Sequence, residues 1–325
     1  MLIIYHAGKE LYFLMLSLKP NFAVCLAAYN GAQYIEAQIN SILCQVDVDL
    51  TIIVSIDPSS DETETIVMDL AKNNRKIILL PLGEIFGGAG LNFYRLIRDI
   101  DISKFDYLSF SDQDDVWYSE KLSRAHKMMQ KHNALGYSSG FEAFWPSGKK
   151  LAVNKAYPQR SYDYLFESAG PGCTYVIGQG LAESIKGLIE EADASLYGVE
   201  FHDWLIYAYA RHKGFKWVID PLPSLKYRQH DSNQLGVNAG WRAFWLRVNK
   251  VLSGYGFAQS RLIARLIGAS STSTVQKGLQ NGWIGYLWLS LRYRQCRRRG
   301  FDQVMFFISC LVLAIIYPFK LISNK

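Results

Sequence analysis

FAVCLAAYNGAQYIEAQINSILCQVDVDLTIIVSID, residues 22–57, decides the fold. The run 22–28 is short, apolar and rich in strand formers, the pattern of a strand buried on both faces. Asn30-Gly31 ends it, and Tyr34, Ile35, Ile39, Ile42 and Leu43 then recur at helical spacing. TIIVSID (51–57) is a second buried strand. Two such strands joined by a helix make a right-handed βαβ unit with a parallel sheet. The pattern then repeats. Pro58-Ser59-Ser60 stops the second strand, and Asp61 is placed to N-cap the helix ETETIVMDLAKN. KIILLPL (76–82) is a third strand, GGAG (87–90) leads into the amphipathic LNFYRLIRDI, and FDYLSFSD (105–112) is a fourth strand. The expected fold class is α/β: a doubly wound, mostly parallel sheet flanked by helices.

Ligands of such sheets sit beyond the carboxyl ends of the strands. That singles out Tyr29, Asp57 and the polar cluster after Phe110. Past residue 135 the pattern is mixed. Short strands are expected near 137–144, 172–177, 216–220 and 224–228, and helices near 179–191 and 200–213.

Composition divides the chain. Residues 241–325 carry 13 Lys/Arg against the single acid Asp302, a net +12, whereas residues 1–240 are net −6. The tail is expected to be helical, and residues 303–319 are apolar and uncharged. A basic run beside an apolar one suits an anionic membrane surface better than nucleic acid. RYRQCRRR (292–299) holds five arginines, and a 17-residue apolar run (303–319) that contains Pro318 favours an interfacial or re-entrant helix over a span. The arginines belong on the cytoplasmic side by charge bias. Cys25, Cys44, Cys173, Cys296 and Cys310 are scattered, as suits a reducing compartment. Residues 1–20 lack a basic start and a cleavage site, so they are expected to be an N-terminal extension, with Met15 an alternative start.

SDQDDVW (111–117) crowds Asp112, Asp114 and Asp115 into four positions at a strand end. Like charges this close repel unless a cation neutralises them, and hard oxygen ligands suit Mg²⁺ or Mn²⁺ shared with substrate phosphates. Such a turn is also compatible with a solvated helix start. Asp57 can accept a base N–H, and the Tyr29 ring can stack on that base. FHDWL (201–205) puts His202, Asp203 and Trp204 at a helix start, where Asp203 is either a cap or a base. KYRQHDSN (226–233) places His230 just beyond a strand.

Taken in order, AAYNG (27–31), DPSSDET (57–63), GGAGLNF (87–93), SDQDDVW, GPGCTYV (170–176), FHDWLIY (201–207) and YRQH (227–230) resemble the inverting family 2 glycosyltransferases, in particular their bacterial rhamnosyltransferase branch. The resemblance implies a GT-A domain over 21–235, followed by a basic helical region over 236–325. It implies donor nucleotide binding by Ala28, Tyr29, Asp57, Asp112 and Asp114, and a divalent metal held by Asp114, Asp115 and His230. Asp203 matches the general base, and Trp117, Gly172, Cys173, His202 and Trp204 match the acceptor cleft. Where the family commonly has two acids, this chain has Ile56-Asp57, and Pro58 alters the turn. The implied donor is dTDP-L-rhamnose, with UDP-hexoses as the alternative. The implied acceptor is a lipid-linked oligosaccharide at the cytoplasmic face of a bacterial inner membrane. A nucleotidyltransferase would need a basic phosphate loop after the first strand, and AAYNGAQY has no Lys or Arg. An inactive sugar-binding scaffold would have lost Asp114, Asp115 or Asp203, and all three are present.

Overall fold

The computed structural model describes residues 19–230 and 253–323, with side chains through residue 318. The expected extension 1–20 lies almost wholly outside the described residues, as does the boundary at 235–236.

β1 (Asn21–Ala28), β2 (Asp49–Ile56), β3 (Ile77–Leu79) and β4 (Tyr107–Ser111) form the expected parallel winding, in the order β3-β2-β1-β4. The register pairs Ala28 with Ile56 and Leu26 with Ser111, which brings their following loops to one edge. Phe22 through Leu26 are fully buried, so β1 shows no polar alternation. One face is covered by α1 (Ile35–Leu43), α2 (Thr63–Asn73) and α4 (Lys121–His132). The other carries α3 (Ala89–Asp99), α5 (Gln179–Glu191) and α6 (His202–His212). Ile35, Ile39 and Ile42 of α1 are fully buried, each contributing about 1.5–3 kcal/mol on transfer from water.

The second half of the sheet departs from the mostly parallel expectation. β8 (Val176–Gly178) runs antiparallel to β4, and β6 (Gly136–Phe144) runs antiparallel to β8. β9 (Trp217–Arg228) is parallel to β6, β5 (Val116–Trp117) is antiparallel to β9, and β7 (Lys150–Val153) pairs with β6. The two strands expected over 216–228 are therefore one. Pro221 and Pro223 read as a break, but a register shift at Ser139/Gly140 carries the strand past them. Gly140 makes this possible, because a Cβ there would stand 2.9 Å from the Pro221 carbonyl oxygen and 2.8 Å from that of Val153. The strand expected over 172–177 is shorter, since Gly172–Thr174 forms a 3₁₀ turn. Asp61 does not occupy the N-cap. It lies one residue earlier and accepts the Thr63 N–H at 3.1 Å.

The C-terminal elements are α7 (Tyr255–Leu266), α8 (Gly282–Ser290), α9 (Tyr293–Cys296) and α10 (Gly300–Ser323). They are not an independent unit. Phe257, Ile263, Tyr286, Leu289, Phe306, Cys310 and Leu313 join the same core as α3, α5 and α6. Of the five arginines in 292–299, Arg298 is 5% exposed and turned into the protein. The opposite face of α8 and α10 is apolar and open: Trp283, Ile284, Leu287, Phe301, Val304 and Ile308 are all exposed. Among the described residues, Gly300–Pro318 is the one helix long and apolar enough to cross a membrane, and only 22% of its apolar window is buried.

Candidate active site

Two loops at the ends of β1 and β2 are stapled together. Asn30, at φ 48°, accepts the Ser60 N–H on its Oδ1 at 2.8 Å and donates its own N–H to Ser59 Oγ at 3.1 Å. The N–H groups of Gly31 and Ala32 donate to Thr63 Oγ1 at 2.8 Å and Asp61 Oδ2 at 3.0 Å. The Asp57 N–H donates to the Ala28 carbonyl at 2.9 Å, so Ala28, Tyr29 and Asp57 share one corner. The Tyr29 ring is 56% exposed there, open to a stacking partner. Asp57 is 5% exposed, and its two oxygens accept the backbone N–H groups of Phe86 at 3.0 Å and Gly87 at 3.1 Å. It therefore orders the Gly-rich loop after β3 as well as facing the corner. This second duty was not foreseen.

Gln113, which sequence reasoning passed over, joins this corner to the acidic loop. Its side-chain amide accepts the Tyr29 N–H at 2.7 Å and donates to the Tyr29 carbonyl at 2.9 Å. A Cβ on residue 31 would fall 2.3 Å from Gln113 Oε1, so the Gly of AAYNG exists for the Gln of SDQDDVW. Both lie inside the quoted motifs, but nothing in either motif alone announces the contact.

The three carboxylates of the acidic loop separate. Asp114 turns outward, and its Oδ2 meets His230 Nε2 at 2.7 Å, which brings together two residues 116 positions apart. Asp115 turns inward, is 1% exposed and accepts the Arg228 N–H on Oδ1 at 3.3 Å. Its Oδ2 is buried without a hydrogen-bond partner. Asp112, Asp115 and Cys173 bring their ligand atoms within 4.8 Å of one another. Burial first, then neighbouring carboxylates, raises Asp112 and Asp115 above the usual range. Lys121, also unforeseen, is 1% exposed among these groups and donates to the Cys173 carbonyl at 2.5 Å. Burial pulls its ammonium down to about 7, against the opposing charges of Cys173, Asp115 and Asp112. A lysine in the first turn of a helix opposes the dipole, and that was the signal available in the sequence. The ligand-type group that the fold brings together is thus Asp112, Asp115 and Cys173, with one Asp115 oxygen unpartnered, a carboxylate-rich set of the kind that suits a divalent cation, while Asp114 and His230 form a separate pair.

Asp203 begins α6 on the other side of the acidic loop, close enough for its charge to raise Asp112. Burial pushes its carboxyl up to about 6, while hydrogen bonds from the Trp204 N–H (2.7 Å) and Ser168 oppose that rise. Lys155, for which the sequence offered no signal, adds a cationic field at Asp203. His202 stacks on Phe93 with ring centroids 4.1 Å apart, and its Nε2 is buried without a partner. Burial holds the ring neutral, down to about 3. Gly172 packs so closely that a Cβ would meet His202 Nε2 at 2.4 Å. Trp117 and Trp204, matched to the acceptor cleft by the resemblance, are 4% and 9% exposed. Trp117 lies beneath the Lys121 ammonium, 3.1 Å from its ring centroid, and Trp204 Nε1 donates to the Tyr164 carbonyl at 2.9 Å. Large amphipathic rings carry more free energy buried than exposed.

The corner of Ala28, Tyr29 and Asp57, the acidic loop and the buried Asp203 lie toward one edge of the sheet. Residues 23–171 match the model of glycosyl transferase family 2. The chain is 40% identical over 291 residues to the dTDP-rhamnosyl transferase RfbG of Shigella flexneri, covering 89% of this chain and 100% of that protein. It is 26% identical, over 48% of this chain and 58% of the other, to the Escherichia coli UDP-Glc:alpha-D-GlcNAc-diphosphoundecaprenol beta-1,3-glucosyltransferase WfgD. Its fold is similar to that of Staphylococcus aureus TarS 1–349 solved with UDP, with TM-score 0.55 and 16% identity over 86% of this chain and 74% of that one. The chain belongs to glycosyltransferase family 2 and is a glycosyltransferase.

Proposed function

We propose that this enzyme transfers L-rhamnose from dTDP-L-rhamnose, with inversion, to a hydroxyl of a lipid-linked oligosaccharide during cell-surface polysaccharide synthesis. The observation that carries the donor assignment is the 40% identity along the entire length of a dTDP-rhamnosyl transferase. The Tyr29 ring and Asp57 carboxylate hold the base, with Ala28 lining the same corner, and Asp112 and Asp114 face the diphosphate. Asp114, Asp115 and His230 would hold Mg²⁺ or Mn²⁺, which when bound supplies positive charge to the departing diphosphate. Asp203 takes the proton of the acceptor hydroxyl as that oxygen bonds to the anomeric carbon. The bond from that carbon to the diphosphate oxygen breaks, and the nucleoside diphosphate leaves with its electron pair. With Asp203 as the carboxylate base and no enzyme nucleophile opposite it among the described residues, one displacement inverts the configuration, with oxocarbenium-like charge at its peak. His202 and Gly172 line the acceptor side behind Asp203.

The acceptor's lipid points to the membrane. The open apolar face of α8 and α10 lies beside half-buried Arg292 and exposed Arg294 and Arg299, a pairing that suits an anionic leaflet on the cytoplasmic side. Initial rates with a panel of dTDP-, UDP- and GDP-sugars test the donor. Preference for dTDP-L-rhamnose supports the reading, and a UDP-hexose preferred over it refutes it. Flotation with vesicles containing anionic phospholipid tests the surface. Val304→Ser/Ile308→Ser should release the enzyme, and a wild-type protein that never floats refutes membrane docking.

A further inference from the structure

Arg95 lies in α3 and is 2% exposed, an arginine inside the protein rather than on its surface. Its Nη1 donates to the Ser55 hydroxyl at 3.1 Å, two residues before Asp57, and its Nε donates to Asp99 Oδ2 at 3.3 Å. Its Nη2 donates to the Pro81 carbonyl at 2.6 Å, at the start of the Gly-rich loop after β3. The guanidinium carbon stands 5.1 Å from the centre of the Phe86 ring, and Glu84 Oε1 lies 3.7 Å from Nη2. One buried cation thus holds residues 81, 84 and 86 of a single loop against the end of β2.

Among the described residues, little else packs on that loop. Pro81 through Ile85 are exposed, and Gly83 and Gly87 sit at φ 103° and 72° with open space where a Cβ would stand. Such glycines leave a backbone many accessible shapes, so fixed contacts must select one. At the far end those contacts are the Phe86 and Gly87 N–H groups, which donate to the two oxygens of Asp57 at 3.0 and 3.1 Å. An ionised carboxylate offers about four acceptor positions. The loop takes two of them, and the directions of the rest are set by where the loop stands. Asp99 needs only the Arg95 Nε; the contacts with Pro81 and Phe86 serve the loop.

We propose that Arg95 is a positioning residue for nucleobase selection: it holds the 81–86 loop, and the loop fixes the direction in which Asp57 presents its remaining lone pairs to the base. The inference rests on the reading of Asp57 as the base acceptor. Thymine offers an N3–H donor, whereas N3 of cytosine is an acceptor. A carboxylate held in one plane accepts from the first and repels the second, and one that is free to turn discriminates less. A guanidinium spans several acceptors in one plane, and an ammonium cannot. Arg95→Lys therefore keeps the charge for Asp99 and Glu84 but loses the simultaneous hold on Ser55 and the Pro81 carbonyl.

The experiment uses the full chain, with affinities for dTDP and dCDP read by calorimetry. In Arg95→Lys, dTDP should bind roughly tenfold more weakly, the effect of one lost hydrogen bond of ordinary strength, while dCDP changes by less than about twofold. Selectivity between the two bases should therefore fall roughly tenfold. At saturating donor, kcat should stay within about twofold as KM rises, because Asp203 and the acidic loop stand on other elements. The Asp57→Asn/Arg95→Lys double variant should bind dTDP no more weakly than Asp57→Asn alone, since Arg95 acts through Asp57. Uracil carries the same N3–H, so UDP and CDP replace the pair if the donor panel selects a UDP-sugar. If Arg95→Lys does not fold, Phe86→Ala is read in the same way, because it removes the ring under the guanidinium and keeps the backbone N–H. Folded variants with unchanged selectivity, an equal loss for both nucleotides, or losses that multiply in the double variant overturn the proposal. Asp57→Asn alone separates the two readings. Unchanged dTDP affinity there refutes Asp57 as the base acceptor, whereas a weakened Asp57→Asn beside an Arg95→Lys of full dTDP affinity refutes only the positioning role.

Discussion

Gly172→Ala is the sharpest probe of the proposed acceptor side. The added Cβ would lie 2.4 Å from His202 Nε2, 2.9 Å from Cε1 and 3.4 Å from Asp203 Cβ. Ordinary contact begins at 3.4 Å, so the ring and methyl must separate by about 1 Å. The imidazole has little freedom, being stacked on Phe93 at 4.1 Å with Phe110 5.9 Å away. Overpacking of this kind costs about 1–3 kcal/mol of stability, a drop visible in a thermal melt. The strain passes to the start of α6, which carries Asp203. A misplacement near 1 Å at a reacting group costs about 100-fold in rate. Steady-state kinetics with saturating donor should therefore show kcat down about 100-fold, with dTDP affinity by calorimetry unchanged. A folded Gly172→Ala enzyme within threefold of wild-type kcat would refute the idea that His202 and Asp203 are clamped into catalytic register by this glycine.

Activity should also follow the ionisation of Asp203. Burial raises that carboxyl to about 6 and the base must be deprotonated, so kcat/KM should fall about tenfold per pH unit below 6 and level off above it. A profile still flat at pH 5 would assign the proton transfer elsewhere. Asp114→Asn and His230→Ala should each weaken Mn²⁺ binding at least about tenfold, measured by calorimetry, since a ligand and its partner are lost; unchanged affinity would place the cation away from this pair. Gln113→Ala removes both hydrogen bonds that hold Tyr29, a loss of about 1–2 kcal/mol at this part-exposed corner, so dTDP should bind roughly 5- to 30-fold more weakly. Unaltered binding would mean that the corner keeps its shape without the bridge.

The parallel half of the sheet was legible because local rules decide it. β1 and β2 are apolar throughout, the helix between them has its own period, and turn residues punctuate both. The acidic loop and His-Asp-Trp were legible for the same reason, each being a dense local cluster. Joining β8, β6, β9 and β5 into one mixed sheet depends on pairings between distant strands and on a bulge that passes two prolines, and no local pattern encodes these. Hydrophobic and charged runs show that a segment seeks a partner without saying which one. That is why the arginine run 292–299 points to an anionic surface without showing that the fold buries Arg298 against Asp163 and the Ser168 carbonyl. The sequence by itself determined the class of protein, because its motifs, in their order along the chain, resemble those of family 2 glycosyltransferases. Tertiary structure alone assigned the separate positions of Asp112, Asp114 and Asp115, the Gln113 bridge and the Arg298 grip. Each of these is a contact between residues far apart in the chain, settled only when the whole core closes.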